Sequence, residues 1–329
     1  MKISVVIPLY NERDNIGRTI GAVDAALRDA ELDAEIVVVD DGSTDGSGDA
    51  ARGAASDLPL RVLGQPNSGR YAARKAGLEA AQGEYVLFLD SRVRLQPGAL
   101  TFLAERLGKG EDVWNAHVVI EADGNPYGLF WTVLTEIAFA DYFANPRTTS
   151  FDAESFERFP KGTTCFVAPR EALLDAFSAF STRYGDIRNA NDDTPLIRRL
   201  AEQRPINISP HFSCLYRPRD SLASFLKHAY HRGIVFLDGH GRRESGFFPL
   251  VVVFYPLSLG AAVLGTRRPS SLPVLAAASV LAAGAVAAVK GRSRAETLAF
   301  AGLAPVYALA HGAGMWRGLS LMVANRVRR

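Results

Sequence analysis

Residues 66–100 read PNSGRYAARKAGLEAAQGEYVLFLDSRVRLQPGAL: a helix over about Gly69 to Ala81, a Gly turn, a strand apolar on both faces, and an acid, Asp90, at the strand's end. A run such as EYVLFLD has no polar face to show to water, so it belongs in a parallel sheet covered by helices on both sides. In open sheets of that kind ligands bind outside the carboxyl ends of the strands, which places Asp90 at a ligand site. The chain's opening repeats the arrangement. ISVVIPLYNERDN (3–15) is a strand entering a polar turn, and EIVVVDDGSTDGS (35–47) is a strand ending in paired aspartates.

Helical patterns near 14–30, 46–55, 69–81 and 97–107 alternate with these strands, which is α/β order. Farther along, 111–121 and 161–169 read as strands, 170–177 as a short helix and 206–216 as an extended segment. Residues 129–144 read as one apolar helix rich in aromatics (Phe130, Trp131, Phe139, Tyr142, Phe143), suited to core packing or to a membrane boundary. Residues 189–203 place an acidic cluster at the start of a helix with a basic end.

At 329 residues, with 48% hydrophobic and 22% charged, the chain is globular and long enough for one ordinary domain plus a smaller part. Its charge is uneven. From Gly241 onward 11 Lys/Arg stand against 2 Asp/Glu, leaving 26 against 33 before it. The acidic first part argues against nucleic-acid binding, which needs a basic footprint, and the basic second part suits anionic lipid headgroups. Cys165 and Cys214 stand far apart without a CxxC, so neither a disulfide framework nor a zinc site is indicated, and small buried hydrophobes are expected. The apolar run after Met1-Lys2 is too short for a signal peptide and meets NERDN with no cleavage site, so it reads as the first strand.

In 221–238, Leu222, Phe225, Leu226, Ala229, Ile234 and Leu237 share one helical face, with Lys227, His228, His231 and Arg232 largely on the other. That pattern predicts a helix lying on a membrane surface. Three apolar stretches follow, 247–265, 272–289 and 297–311. The first is long enough to cross a bilayer, the second is Ala-rich, and the third is short and carries Pro305 and His311. Three crossings are expected. The alternative is a pair with one re-entrant or surface segment, because Arg326, Arg328 and Arg329 favour the cytoplasmic side and an odd number puts them outside. The expected organisation is thus a cytoplasmic domain over 1–218, an amphipathic interfacial helix over 219–241 and a membrane anchor over 242–329, in a multi-pass protein of the cytoplasmic membrane.

The ordered motifs IPLYNE (7–12), VDDGSTD (39–45), GRYAARKAG (69–77) and FLDSR (88–92) resemble those of the family-two glycosyltransferases, whose first half carries VVIPxYNE, VDDGSTD, GxxxARNxG and FLDxDD. The resemblance covers about residues 1 to 100, and several ordered motifs at suitable spacing are far more specific than any one alone. It implies a GT-A fold, a mostly parallel sheet flanked by helices, and inverting transfer of a sugar from a nucleotide-diphosphate donor such as a UDP- or GDP-sugar. By resemblance, Pro8, Tyr10, Asn11 and Glu12 hold the nucleotide, with Tyr10 on the base and Glu12 accepting from its polar edge. Asp41 contacts the uracil or ribose side and Asp40 supports the turn. Alone, the Asp41–Thr44 segment would read as a turn and N-cap. In the next helix Arg74 and Lys75 could reach phosphate from the sheet's carboxyl edge.

Asp90, Ser91 and Arg92 depart from the family's Asp-x-Asp, whose carboxylates hold a divalent cation bridging the diphosphate. Two alternatives follow. Asp90 alone holds Mg²⁺ or Mn²⁺ with phosphates and water completing the shell, or the Arg92 guanidinium itself meets phosphate. Asp193 matches the family's catalytic base, with Asp192 in the place of its Glu neighbour, and a helix N-terminus favours the ionised carboxylate. Gly162, Thr163 and Thr164 lie in the region that approaches the acceptor, His231 and Arg232 serve the acceptor or the interface, and His211 reads as structural. A catalytic domain running into a basic helix and then apolar spans implies a lipid or lipid-linked glycan acceptor at the membrane, with no nucleic-acid partner. The processive polysaccharide synthases carry Gln-x-x-Arg-Trp. With Arg232 aligned to that Arg, the flanking positions are Ala229 and Gly233, which speaks against a processive channel. A sugar-nucleotide uridylyltransferase would need a Gly-rich loop where YNERDN stands. A catalytically inactive scaffold is the remaining rival, raised by the missing second Asp.

Overall fold

The computed structural model describes residues 1–328; the expectations placed on the Arg328 side chain and on Arg329 lie outside the described part. The chain runs β1 (Lys2–Leu9), α1 (Arg13–Asp29), β2 (Asp33–Asp40), α2 (Ser47–Arg52), β3 (Leu60–Gly64), α3 (Arg70–Ala80) and β4 (Tyr85–Leu89). It continues through β5 (Val93–Leu95), α4 (Ala99–Leu107), β6 (Trp114–Ile120), α5 (Pro126–Ala138), α6 (Ala140–Phe143) and β7 (Thr149–Phe151). Then come β8 (Cys165–Pro169), α7 (Arg170–Ser178), α8 (Thr194–Ala201), β9 (Ile206–Tyr216), α9 (Leu222–His240), α10 (Phe248–Arg267), α11 (Ser271–Val289) and α12 (Arg294–Arg328). These fall into two compact units, one of residues 1–119, 141–181 and 192–217, the other of 120–140, 182–191 and 218 onward.

The first unit holds a mixed sheet of order β3-β2-β1-β4-β8-β6-β9-β5, with β7 on β9. β3, β2, β1 and β4 are parallel; β1, β2 and β4 are the strands whose motifs the sequence marks, and β3 at the sheet edge carries no such motif. From β8 onward the ladders given by register are antiparallel. β1, β2 and β4 are buried along nearly their whole length, as continuous apolar runs require, whereas β3 at the edge is only half-buried. α1 covers one face with Ile16, Ile20, Val23 and Leu27, all fully buried at helical spacing. Each such side chain contributes roughly 1.5–3 kcal/mol. On the other face α3 sits close: a Cβ on Gly77 would lie 2.3 Å from Val6 Cγ1. That close approach brings the first turns of α3 to the carboxyl edge of the strands. Cys165 and Cys214 are free and buried.

The second unit is helical. The apolar stretch expected as one helix over 129–144 is two, because α5 is capped early by Asn125, whose side chain accepts from Tyr127 and Gly128 N–H, and the backbone breaks at Phe139. Phe130 and Trp131 of α5 pack with Phe225 of α9 and with Phe300, Leu303, Val306 and Tyr307 of α12. The third apolar stretch is longer than its sequence suggests: α12 runs 35 residues through Pro305. Its Gly312, Gly314 and Gly318 are packing positions rather than breaks. A Cβ on Gly314 would meet Tyr230 O at 2.0 Å, and one on Gly233 would meet His311 O at 2.0 Å, so the backbones of α9 and α12 nearly touch.

This contact gives much of the apolar face of α9 a protein partner: Phe225, Ala229, Ile234 and Leu237 are buried within the unit, whereas Leu222 of the same face is exposed. α10, α11 and α12 are each long and apolar enough to cross a membrane, and few of their residues are covered by protein. The C-terminal turns of α12 lie beside the start of α10: Met322, Asn325 and Arg326 line one cavity with Phe248, and Tyr255 Oη donates to Met315 O at 3.1 Å.

Candidate active site

Three polar turns follow the carboxyl ends of β1, β2 and β4, and side chains lock them together. After β1, Asn11 takes a left-handed backbone (φ 52°), which Asn tolerates better than most residues. Its N–H donates to Ser43 Oγ at 3.0 Å and its Oδ1 accepts from Thr44 N–H at 2.8 Å. Glu12 N–H donates to Ser47 Oγ at 2.8 Å. After β2, Asp40 Oδ1 accepts from Ser43 N–H at 3.0 Å, supporting the turn. Asp41 is buried; its carboxylate accepts from Gln65 Nε2 (2.7 Å), Ser68 N–H (2.8 Å) and Gly69 N–H (2.8 Å), so it orders the entry to α3. Pro8 is buried at the end of β1, whereas Tyr10 leaves its ring 45% exposed at the rim.

The centre of the site is Arg74. This side chain is 1% exposed, yet it carries a full charge because three carboxylates converge on it. Its NH2 group donates to Asp90 Oδ1 at 2.8 Å, and NH1 pairs closely with Asp192 Oδ2 and lies 3.4 Å from Asp193 Oδ1. Arg70, one turn earlier on α3, adds a second guanidinium 3.4 Å from Asp192. Burial opposes the charge on Arg74, and Asp192, Asp90 and Asp193 more than offset it, so its pKa rises. Burial would raise the Asp192 carboxyl too, but Arg70 and Arg74 outweigh it and hold Asp192 below the usual aspartate range. For Asp90 burial wins: its carboxyl stays above that range despite Arg74 and Arg70.

Asp193 occupies the N-cap position of α8 but does not cap it with its side chain. Instead Oδ1 receives the Thr163 hydroxyl in a short hydrogen bond, and the carboxylate is 34% exposed while its neighbour Asp192 is 3% exposed. Gly162 lies beside it, since a Cβ there would stand 3.7 Å from Asp193 Oδ2. Gly162 N–H is fixed by Asn115 Oδ1 at 3.1 Å. Lys161 turns inward to the Phe156 and Phe159 carbonyls, and burial pulls its pKa down to about 8. Asp90 N–H donates to Thr164 O at 2.9 Å, joining β4 to this loop.

Arg92 stands where the resemblance calls for a second metal-binding acid. Its Nε donates to Glu12 Oε1 at 2.6 Å, and Asn15 Nδ2 donates to Glu12 Oε2 at 2.7 Å. Glu12, expected at the base edge, thus accepts from two protein partners. Ser91 is buried and its carbonyl accepts from Thr19 Oγ1 at 2.8 Å. Among the described residues no group of three or more His, Cys, Asp or Glu could hold a metal ion. Asp90 remains, one partly exposed carboxylate. That is enough for a hard cation whose other ligands are donor phosphates and water.

Arg74, expected on phosphate, is therefore the hub of a carboxylate cluster. Lys75 points elsewhere, toward Glu79 at 3.8 Å. Arg70 was not anticipated, although its i, i+4 spacing from Arg74 puts both on one helix face. In the second unit, Arg232 lies over the Trp131 ring at 5.2 Å, and His231 is on the same helix. His211 packs on Phe102 away from the acids.

A family model described as glycosyl transferase family 2 matches residues 4–175. Among curated proteins, an undecaprenyl-phosphate 4-deoxy-4-formamido-L-arabinose transferase of Pseudomonas fluorescens (strain Pf0-1) is 39% identical over 114 residues, 34% of this chain and 34% of the relative. The protein of the same description from Aeromonas hydrophila is 36% identical over 114 residues, 34% and 35% of the two chains. The chain thus matches about a third of the length of these relatives. Among solved structures, S. aureus TarS 1-349 in complex with UDP-GlcNAc aligns at a TM-score of 0.50 and 17% identity, covering 100% of this chain and 93% of the other. The mannosyltransferase PcManGT from Pyrobaculum calidifontis in complex with GDP-Man and Mn²⁺ aligns at 0.51 and 19%, covering 99% and 86%. At such identities the likeness carries the fold alone.

Proposed function

The chain belongs to glycosyl transferase family 2, with a GT-A fold, and on that premise we propose that this glycosyltransferase moves a sugar, with inversion, from a nucleotide-diphosphate donor to a lipid or lipid-linked glycan at the membrane. The observation that carries the reading is the carboxylate cluster on Arg74: three acids from two distant segments meet at the carboxyl end of β4, and only Asp193 and Asp90 keep substantial exposure.

Exposure divides the roles. Asp193 is the base that takes the proton of an acceptor hydroxyl, oriented by Thr163. A phosphate acceptor, already ionised near neutral pH, would not need that step. Asp192, nearly inaccessible, is a positioning residue that fixes Arg74, and Arg74 with Arg70 sets the geometry of the whole group. Tyr10 offers an exposed ring to the base, while Asp40 and Asp41 shape the floor beneath the donor. Asp90 would hold a Mg²⁺ or Mn²⁺ ion, which when bound supplies Lewis-acid compensation for the leaving diphosphate. Arg92, through Glu12, supports the nucleotide turn from beneath.

We infer a multi-pass protein of the cytoplasmic membrane with the first unit facing the cytoplasm. The adjacency of the ends of α10 and α12 supports a pair of crossings, α10 and α11, over three. Both ends then share one side, and Arg326 remains with Arg242 and Arg243 on the side that basic residues favour. The function is tested by incubating the purified full-length protein with a panel of nucleotide sugars and bacterial lipid extract, then identifying products by mass spectrometry. A sugar-modified lipid is expected. Nucleotide-sugar hydrolysis with no lipid product for any donor would overturn the acceptor class.

A further inference from the structure

The second unit contains a cavity of about 690 Å³ that the reaction above does not use. Four arginines line it: Arg183 from the segment before α8, Arg242 and Arg243 from the turn after α9, and Arg326 from the last turn of α12. Glu244 is the one acid in its wall, leaving a surplus of three positive charges. Among the described residues no ion pair reaches any of the four. Such a concentration of guanidinium groups costs folding energy through mutual repulsion unless an anion joins them.

The wall is built rather than incidental. Arg183 N–H donates to Asp238 Oδ1 at 2.7 Å, and its carbonyl accepts from Asn325 Nδ2 at 3.0 Å. Its guanidinium NH1 lies 3.8 Å from Met322 Sδ. Asp238, buried in α9, also accepts from Thr182 Oγ1 (2.9 Å) and Asn191 N–H (2.8 Å), so the segment bearing Arg183 is tied down at both ends. Phe248 and Met322 supply an apolar side. Phe248 is also the first residue of α10, whose Leu250, Val252, Val253 and Leu257 are exposed along its length. The cavity therefore has its charge at the level where an apolar helix begins and its apolar wall toward that helix.

We propose that this cavity binds the phosphate headgroup of an anionic membrane phospholipid. A guanidinium fork is opposite in charge to a phosphate and can donate to two of its oxygens at once. Basic pockets at the cytoplasmic ends of membrane helices are where lipid headgroups meet arginine with least desolvation of the charge. Phe248 and Met322 would lie along the first carbons of the acyl chains. A soluble phosphate would satisfy the arginines but leave the apolar side empty. The proposal rests on α10 being a membrane helix, which carbonate extraction checks separately: a protein released from membranes by alkaline carbonate would defeat that premise, not the chemistry of the cavity.

The test is native mass spectrometry of the full-length protein in neutral detergent, titrated with phosphatidylglycerol or phosphatidylcholine. Wild type should retain one phosphatidylglycerol in preference to phosphatidylcholine. The triple variant Arg242→Gln, Arg243→Gln, Arg326→Gln, all at exposed positions, should bind it about 30-fold more weakly or worse, and Glu244→Gln should bind it at least as tightly as wild type. Millimolar inorganic phosphate should displace little of the lipid. Equal lipid affinity in wild type and triple variant, or weaker binding in Glu244→Gln, would overturn the proposal. Complete displacement by inorganic phosphate would show a site for a soluble anion and would also overturn it.

Discussion

Arg74→Gln keeps a polar tip of similar reach but removes the charge that three carboxylates share. Each close pair represents a gross Coulomb attraction of about 5 kcal/mol at 3.4 Å with an effective dielectric constant near 20, most of it returned to desolvation. Removing one partner of a buried pair does not recover that desolvation and leaves charge unpaired, at a cost of about 3–5 kcal/mol. Asp192 keeps Arg70 at 3.4 Å, so the lower half of that range is expected. For a unit of this size the loss corresponds to a fall of about 6–15 °C in thermal midpoint. The pH dependence gives the sign. In wild type the folded pKa of Asp192 is depressed, so its contribution is present above the unfolded value of about 3.9 and is lost as pH falls through the lower folded value. Without Arg74 the folded pKa rises, so protonation relieves the variant as pH falls from 7 toward 4. The gap to wild type therefore narrows in acid. Thermal unfolding followed by the emission of Trp114, buried in the first unit, at pH 7 and pH 4.5 measures both quantities. A deficit under about 1 kcal/mol at pH 7, or one that does not shrink at pH 4.5, would refute the role of Arg74 as the shared counter-charge.

Other outcomes follow from the same geometry. Asp193→Asn should lower turnover on a hydroxyl acceptor by about 10²–10⁴-fold with donor affinity nearly unchanged; near-normal turnover on such an acceptor would remove Asp193 as the base. Asp90→Ala should abolish stimulation by Mg²⁺ or Mn²⁺ and weaken donor binding measured by calorimetry, whereas Arg92→Ala should loosen the Glu12 turn and weaken donor binding while the metal response persists. Wild-type activity unaffected by EDTA would exclude the metal role of Asp90. Gly233→Ala should destabilise the second unit by about 1–2 kcal/mol although Ala is the better helix former, because its Cβ would meet the His311 carbonyl. Gly21→Ala, with open space around it, should not destabilise, and the two thermal midpoints compared directly decide the point. A fluorescent reporter fused to the C-terminus should remain active on the cytoplasmic side, and an exclusively external C-terminus would restore three crossings.

Three of the four parallel strands were legible because strand, turn and helix signals are local: ISVVIPL, EIVVVD and EYVLFLD each announce a buried strand and the polar turn beyond it, whereas the short, half-buried edge strand β3 gave no such signal. The start of α8 was legible for a similar reason, the acid pair Asp192-Asp193 opening a helix. What could not be read was pairing across distance. Nothing near Glu12 tells that Arg92, 80 residues away, will hold it, and nothing in the VDDGSTD turn tells that Asp41 is spent on Gln65, Ser68 and Gly69. Arg70 carried a usable signal in its spacing from Arg74. The helical period of α9 reveals that one face is buried but not by what, and Gly314 and Gly318 of α12 resemble breaks until the backbone of α9 is seen against them. Asp238 gave no warning, being a lone acid in an amphipathic helix.

The aromatic cluster of the second unit has a consequence for how the chain is made. Phe130 and Trp131 leave the ribosome with α5, while Phe300, Leu303, Val306 and Tyr307 come about 170 residues later. At roughly 5–20 residues per second, that is a wait of about 10–35 s. In the interval the strands β8 and β9 can complete their sheet, but of the helices that cover its aromatic face α5 has only α9, with Phe225, Leu226, His228 and Arg232, to receive it, and that only after some 90 residues. A nascent chain stalled before α12 should thus show an open aromatic surface, which closes only when α12 emerges about 170 residues after α5.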